Sequence, residues 1–334
     1  MFSRSWFASS VLSVLALVSC TPTSTPRPSV EPAEVHATTS TLDPKMQTIA
    51  REEIDRAVAE WAPAAAAVVI LDPDTGAVLA MEGRDHGRDE PSLASQRAYL
   101  AGSTLKTITF AAALDAKTIE PDAWLDCAPR RYGDAQLHDD TEFGSLSLTD
   151  ALAVSSNVSA SRVLDTLGLE RLLSALKALH IGDPPGSIPP IADASGIEAA
   201  MLAGGEWAKA TPLQLAAAYG TIFNGGSYVE PTLTSRARPG VRVFREETAR
   251  TMTGMLEDII ESNLGTGRLA RIEDVRVAGK TGTADRYASF VGTVVGFKPR
   301  FVVLVGLEAP RDEGSGPRAA APVFARIARR IIGL

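Results

Sequence analysis

Ser103 and Lys106 stand three residues apart at the head of an apolar run, Thr107 to Leu114. On a helix that spacing puts a hydroxyl and an amine on one face, and Gly102 just before them lets the chain turn sharply. A serine hydroxyl is a weak nucleophile until a base takes its proton, and a lysine takes it only when neutral. The pair therefore suits covalent catalysis by an activated serine.

The spacing alone is common, and Ser174-Ala175-Leu176-Lys177 repeats it. Order and company separate the two. Downstream of Ser103 come Ser155-Ser156-Asn157 and then Lys280-Thr281-Gly282-Thr283. The Ser174 copy follows the Ser-x-Asn element and reads as one face of an amphipathic helix, Leu169 to His180. Burial lowers a lysine's proton affinity and a second cation lowers it further, which makes Lys280 the expected cation beside a neutral Lys106. Ser155 can relay a proton to a leaving amine, and the Asn157 amide can hold Lys106 or a substrate backbone. Thr281, Gly282 and Thr283 on an edge strand can pair with an extended peptide, with Gly282 bare where the peptide comes close. The backbone N–H groups of Ser103 and Thr283 are the natural oxyanion donors.

Positioning these groups takes elements from the whole chain. A helix is expected from about Pro44 to Trp61, where Ile49, Ile54, Ala57 and Val58 recur at helical spacing. A hairpin follows: Ala64 to Leu71, the turn Asp72-Pro73-Asp74-Thr75-Gly76, then Ala77 to Met81. From about 104 to 262 the pattern is helical, with Thr149 or Asp150 capping one helix, Thr211-Pro212 opening another and Glu246 to Ser262 carrying a third. Strands return at Val275 to Ala278, Ser289 to Phe297 and Phe301 to Leu307, and a helix from about Ala321 to Ile332 closes the chain. The fold class is α+β: a five-stranded antiparallel sheet flanked by helices, an all-helical subdomain, and an active site in the cleft between.

With 334 residues, 45% of them apolar and 22% charged, the chain can bury a full core. A net charge of −7 argues against nucleic acid as a partner. Four scattered histidines and two cysteines offer no metal-ligand cluster, and no cofactor is expected. The N-terminus reads as an export signal: Arg4, an apolar stretch from Trp6 to Val18, then Leu17-Val18-Ser19-Cys20. That ending resembles the lipobox of bacterial lipoproteins, which implies residues 1–19 as signal peptide and lipid attachment at Cys20. Residues 20–43, rich in Thr, Ser and Pro, are the expected tether, and 44–334 the folded domain. Lipidation would leave Cys127 without a disulfide partner, as a small buried residue.

Several stretches carry a family resemblance: Leu71 to Gly76, Leu148 to Asn157, Ala210 to Ala216, Phe223 to Gly226, Val277 to Ala284, and the ending Ala320-Ala321-Pro322-Val323-Phe324. Together with the three catalytic elements, they resemble the transpeptidase domain of class B penicillin-binding proteins over about residue 64 to the C-terminus. The resemblance implies the penicillin-binding-protein/serine β-lactamase-like fold. It also implies a D,D-transpeptidase in which Ser103 forms an acyl-enzyme with peptidoglycan stem peptides ending in D-Ala-D-Ala. β-Lactam antibiotics would acylate the same serine, and a lipid anchor would hold the domain to a bacterial membrane, facing the cell wall.

Departures are Ala101 where the family often has proline, the run Glu313-Gly314-Ser315-Gly316-Pro317 in place of a tyrosine-bearing form, and only a tether and one helix ahead of the domain. D,D-carboxypeptidase action uses the same acyl-enzyme. A class A β-lactamase would need a glutamate-bearing loop, and no Glu-x-x-Leu-Asn occurs. From another class, a non-catalytic lipoprotein could bind peptidoglycan or β-lactam through the same cleft.

Overall fold

The computed structural model describes residues 39–184, 187–235, 238–312 and 314–334. The expected signal peptide, Cys20 and most of the tether lie outside the described residues. The last residues of the predicted tether are not free chain: Ser40 bridges Thr234, the Thr41 N–H donates to Leu233 O, and Asp43 caps the first helix by accepting from Met46 N.

That helix, α1 (Pro44–Trp61), packs on a sheet whose strands are β1 (Ala65–Leu71), β2 (Val78–Asp85), β3 (Arg88–Asp89), β4 (Val277–Ala284), β5 (Tyr287–Val294) and β6 (Val302–Glu308). Their order is β4-β5-β6-β1-β2-β3, antiparallel throughout. Among the described residues the sheet thus has six strands where five were expected. The sixth is two exposed polar residues folded back through His86 and Gly87, both at positive φ, and so carries no hydrophobic alternation. β4 runs six residues past the predicted end at Ala278 and takes in Lys280 to Thr283.

β1 is central and buried along its whole length. Its unbroken run Ala-Ala-Ala-Val-Val-Ile-Leu suits a strand covered on both faces. Successive side chains serve two cores. Val68 and Ile70 pack with Ile54, Phe290, Phe324 and Ile327 beneath α1 and the C-terminal helix, whereas Val69 and Leu71 pack with Leu105, Ile108, Tyr219 and Leu256 of the helical region.

The helical region supplies α2 (Leu105–Asp115), α3 (Leu148–Ala153), α4 (Asn157–Leu167), α5 (Leu169–Ala178), α6 (Ile197–Gly204), α7 (Pro212–Phe223) and α8 (Glu246–Glu261), and the chain ends in α9 (Ala321–Ile332). It is not all helical. Trp124–Asp126 pairs with Ser145–Ser147, and Arg130–Tyr132 with Ala135–Leu137. These ribbons are short and largely polar, which hid them from a periodicity reading. Ser147, not Thr149 or Asp150, caps α3 by accepting from Asp150 N, while Thr211 and Gln214 form the full capping box of α7. Ser174 and Lys177 lie on the exposed face of α5, whose buried residues are Leu172 and Leu176.

Candidate active site

The turn that carries Ser103 is held from several sides. Gly102, at φ +56°, opens a 3-10 turn, Gly102–Thr104, that runs into α2. A Cβ on Gly102 would come within 3.1 Å of Thr283 O, so the turn and the end of β4 lie against each other. Gly102 N donates to Gly205 O at 3.0 Å, Ala101 N to Ala208 O at 2.9 Å, and the buried Tyr219 hydroxyl to Thr104 O at 2.8 Å. Ser103 emerges half-buried in the 3-10 turn just ahead of α2, where the helix dipole favours negative charge.

Lys106 stands one turn in, 1% exposed, with Nζ 2.7 Å from Ser103 Oγ. Ser155, in the bend between α3 and α4, has φ +64°, a left-handed conformation unusual for a residue with a Cβ. Its Oγ lies 3.5 Å from Lys106 Nζ and 2.9 Å from Lys280 Nζ. Lys280 is fully buried on β4, and its Nζ also donates to Thr281 O at 3.2 Å. The three segments expected to converge do converge: hydroxyl, amine, hydroxyl and amine follow one another in a chain.

Burial pushes the Lys106 ammonium down to about 8, against the opposing pull of Glu206, Asp139 and Asp140. Burial also drives Lys280 well below its ordinary value, and the charge of Lys106 adds to the effect. The sequence made Lys280 the standing cation. In the folded protein the named carboxylates act on Lys106, and among the described residues none offsets the burial of Lys280. Two ammonium groups bracketing one hydroxyl repel, so the pair sheds a proton as a unit.

Of the expected substrate-binding residues, Thr281 is buried and donates its hydroxyl to Thr266 Oγ1 at 2.8 Å, whereas Thr283 is exposed and accepts from Gly316 N at 3.1 Å. At Gly282 a Cβ would meet Ser289 Oγ at 2.5 Å, Thr104 Cγ2 at 2.9 Å and Ala101 O at 3.1 Å. The missing side chain makes room for β5 and for the turn that carries Ser103. Asn157 does not hold Lys106: among the described residues its side chain makes no hydrogen bond to that amine, and its Oδ1 points toward Gly204.

Asp139, Glu206, Gly205, Thr266 and Gly316 belong to the site and escaped the sequence reading. The Gly265-Thr266-Gly267 turn brings Thr266 to both Thr281 and the Ala153 carbonyl. Each is a short-range polar or glycine residue whose partner is distant in sequence, so only Thr266, flanked by two glycines, carried any local signal. Among the described residues no group of His, Cys, Asp and Glu could hold a metal ion.

Residues 66–329 match the family described as the penicillin binding protein transpeptidase domain. The chain belongs to that family. Relatives of this transpeptidase domain include Penicillin-binding protein PbpB of Mycolicibacterium smegmatis, 29% identical over 86% of this chain and 53% of the relative. Peptidoglycan D,D-transpeptidase FtsI of Escherichia coli K12 is 28% identical over 90% of this chain and 56% of the relative. The chain thus spans about half the length of these curated relatives. Among solved structures, the transpeptidase domain of Burkholderia pseudomallei penicillin-binding protein 3 superposes with a TM-score of 0.77 at 25% identity, covering 91% of this chain and 97% of that one. A structure titled as a peptidoglycan glycosyltransferase from Burkholderia ambifaria gives 0.78 at 27% identity, covering 88% and 98%.

Proposed function

We propose that this transpeptidase domain is a serine acyl-transferase acting on the D-Ala-D-Ala stem peptides of peptidoglycan. The observation that carries this reading is the chain of contacts Ser103 Oγ, Lys106 Nζ, Ser155 Oγ and Lys280 Nζ, with steps of 2.7, 3.5 and 2.9 Å, beside an edge strand.

In this mechanism Ser103 Oγ attacks the carbonyl of the penultimate D-alanine while neutral Lys106 takes its proton. The N–H groups of Ser103 and Thr283 stabilise the oxyanion, each worth about 2.7–4 kcal/mol in comparable sites. The proton passes through Ser155 to the leaving D-alanine amine, and the C–N bond breaks to give an ester on Ser103. An acceptor amine then attacks the ester carbonyl and loses a proton to Lys106; the new amide C–N bond replaces the ester C–O bond, and Lys106 passes that proton to the leaving Ser103 Oγ. Thr281 and Thr283 line the strand that the extended peptide follows, and Asn157 faces the substrate backbone. β-Lactams acylate Ser103 by the same first step.

The test is a fluorescent penicillin followed by muropeptide analysis. Label is expected on Ser103 and absent in Ser103→Ala; label persisting in the variant rejects the nucleophile. With a cross-linkable muropeptide, mass spectrometry should show dimers. Trimmed monomers would make the enzyme a carboxypeptidase, and unchanged substrate would make it a binding module.

The export signal and the Leu17-Val18-Ser19-Cys20 sequence support a lipoprotein held to a bacterial membrane through Cys20, facing the cell wall. Radiolabelled palmitate should enter the wild type and not Cys20→Ala; equal incorporation would refute the anchor.

A further inference from the structure

We propose that Asp139 is a positioning residue for acyl transfer: its carboxylate clamps the Ser155-Ser156-Asn157 bend and thereby fixes the hydroxyl that bridges the two lysines. Asp139 lies just past the ribbon of residues 130–137, outside all three catalytic motifs. One oxygen, Oδ1, accepts from Asn157 N at 2.5 Å and Val158 N at 3.2 Å; the other, Oδ2, accepts from the Ser156 hydroxyl at 2.5 Å. Both oxygens are thus engaged with the residues that directly follow Ser155.

Those contacts do two physical jobs. The first N–H groups of α4 have no partner inside the helix, and Asp139 satisfies two of them with a charge that the N-terminal dipole favours. Ser156 meanwhile accepts from Ser159 N at 2.9 Å, so the ordinary cap is present and Asp139 is an additional tie. The need for one is visible at Ser155, whose φ of +64° persists only if neighbours over-determine it. Without Asp139, the bend can relax and draw Ser155 Oγ away from Lys106 and Lys280.

The same carboxylate belongs to the field around the base. Lys106 is faced by Lys280 across Ser155, and by Glu206, Asp139 and Asp140, with the Ser103 and Ser155 hydroxyls as neutral neighbours. Asp139 favours the protonated amine, so neutralising it should release the Lys106 proton at lower pH. A merely structural contact would not move that limb.

This inference rests on the acyl-transfer reading, and its test separates the two. Acylation by fluorescent penicillin is followed against pH for wild type, Asp139→Ala, Asp139→Asn and Asp140→Asn. Asp139→Ala should acylate about 10- to 100-fold more slowly, the range of a supporting contact whose loss misplaces a catalytic group. Asp139→Asn, which keeps the acceptor for the two N–H groups, should recover most of the rate with its limb moved to lower pH. Asp140→Asn, at a carboxylate that makes no hydrogen bond to the bend among the described residues, should move the limb without slowing the plateau. An unchanged rate in Asp139→Ala overturns the role, as does a loss that Asn fails to rescue with an unmoved limb. A wild type that takes no label rejects the acyl-transfer function and this role with it; a labelled wild type with either contrary variant result rejects this role alone.

Discussion

At Lys106, burial outweighs three carboxylates, and the amine is brought to about 8 at 2.7 Å from the hydroxyl it would deprotonate. With the neutral amine as the proposed base, acylation of Ser103 should climb as pH rises and level off above about 8. Lys106→Met, similar in length and unable to accept a proton, should slow acylation by about 10²–10⁴-fold and flatten that limb. A flat wild-type profile between pH 6 and 9 would exclude Lys106 as the titrating base. Ser103, Lys106, Ser155 and Lys280 were legible in the sequence because their types and spacing are the chemistry. The protonation of the two lysines was not. It depends on burial first and, at Lys106, on Glu206, Asp139 and Asp140, whose distance from it only folding sets.

At the scale of elements, the site is a joint between a turn and the end of a strand, and glycines make the joint possible. Gly205, at φ +96°, has no room for a side chain, since a Cβ would fall 1.8 Å from Gly102 O. Gly205→Ala must therefore push the nucleophile turn out of place as well as strain its own backbone. We expect a loss of about 1–3 kcal/mol in thermal unfolding together with slower penicillin labelling. Wild-type labelling in a stable variant would show that the turn does not depend on this contact. Helices with strong periodicity, α1 and α9, and the apolar strands β1 and β6 could be read from the chain to within a residue or so. The ribbons within 124–147 and the two-residue β3 could not, because short polar strands owe their existence to a partner strand rather than to an alternating pattern.

Over the whole molecule, the first and last helices close on each other through a nearly buried carboxylate. Glu53 accepts from Arg326 Nε at 2.7 Å and Arg330 Nη1 at 3.1 Å. Glu53→Ala should lower unfolding stability by about 1.5–3 kcal/mol, measured by denaturant titration, with penicillin labelling well below the unfolding temperature unchanged. Slowed labelling in the folded variant would instead tie this end of the sheet to the cleft. The far side of the molecule is support; the near side holds the Ser103, Lys106, Ser155 and Lys280 cluster, and β4 belongs to both. What the sequence determined by itself was the inventory: a hydroxyl and an amine one helical turn apart, two further motifs in fixed order, and the apolar runs able to become a sheet and helices. Local spacing suffices for that, since residues three apart on a helix meet whatever lies around them. Tertiary structure decided which groups face Lys106, that Gly282 yields to Thr104 and Ala101, and that Asp139 reaches the Ser155 bend. Those contacts join residues far apart in the chain, and the closure that unites them is driven by burial of two apolar cores, which no short motif encodes.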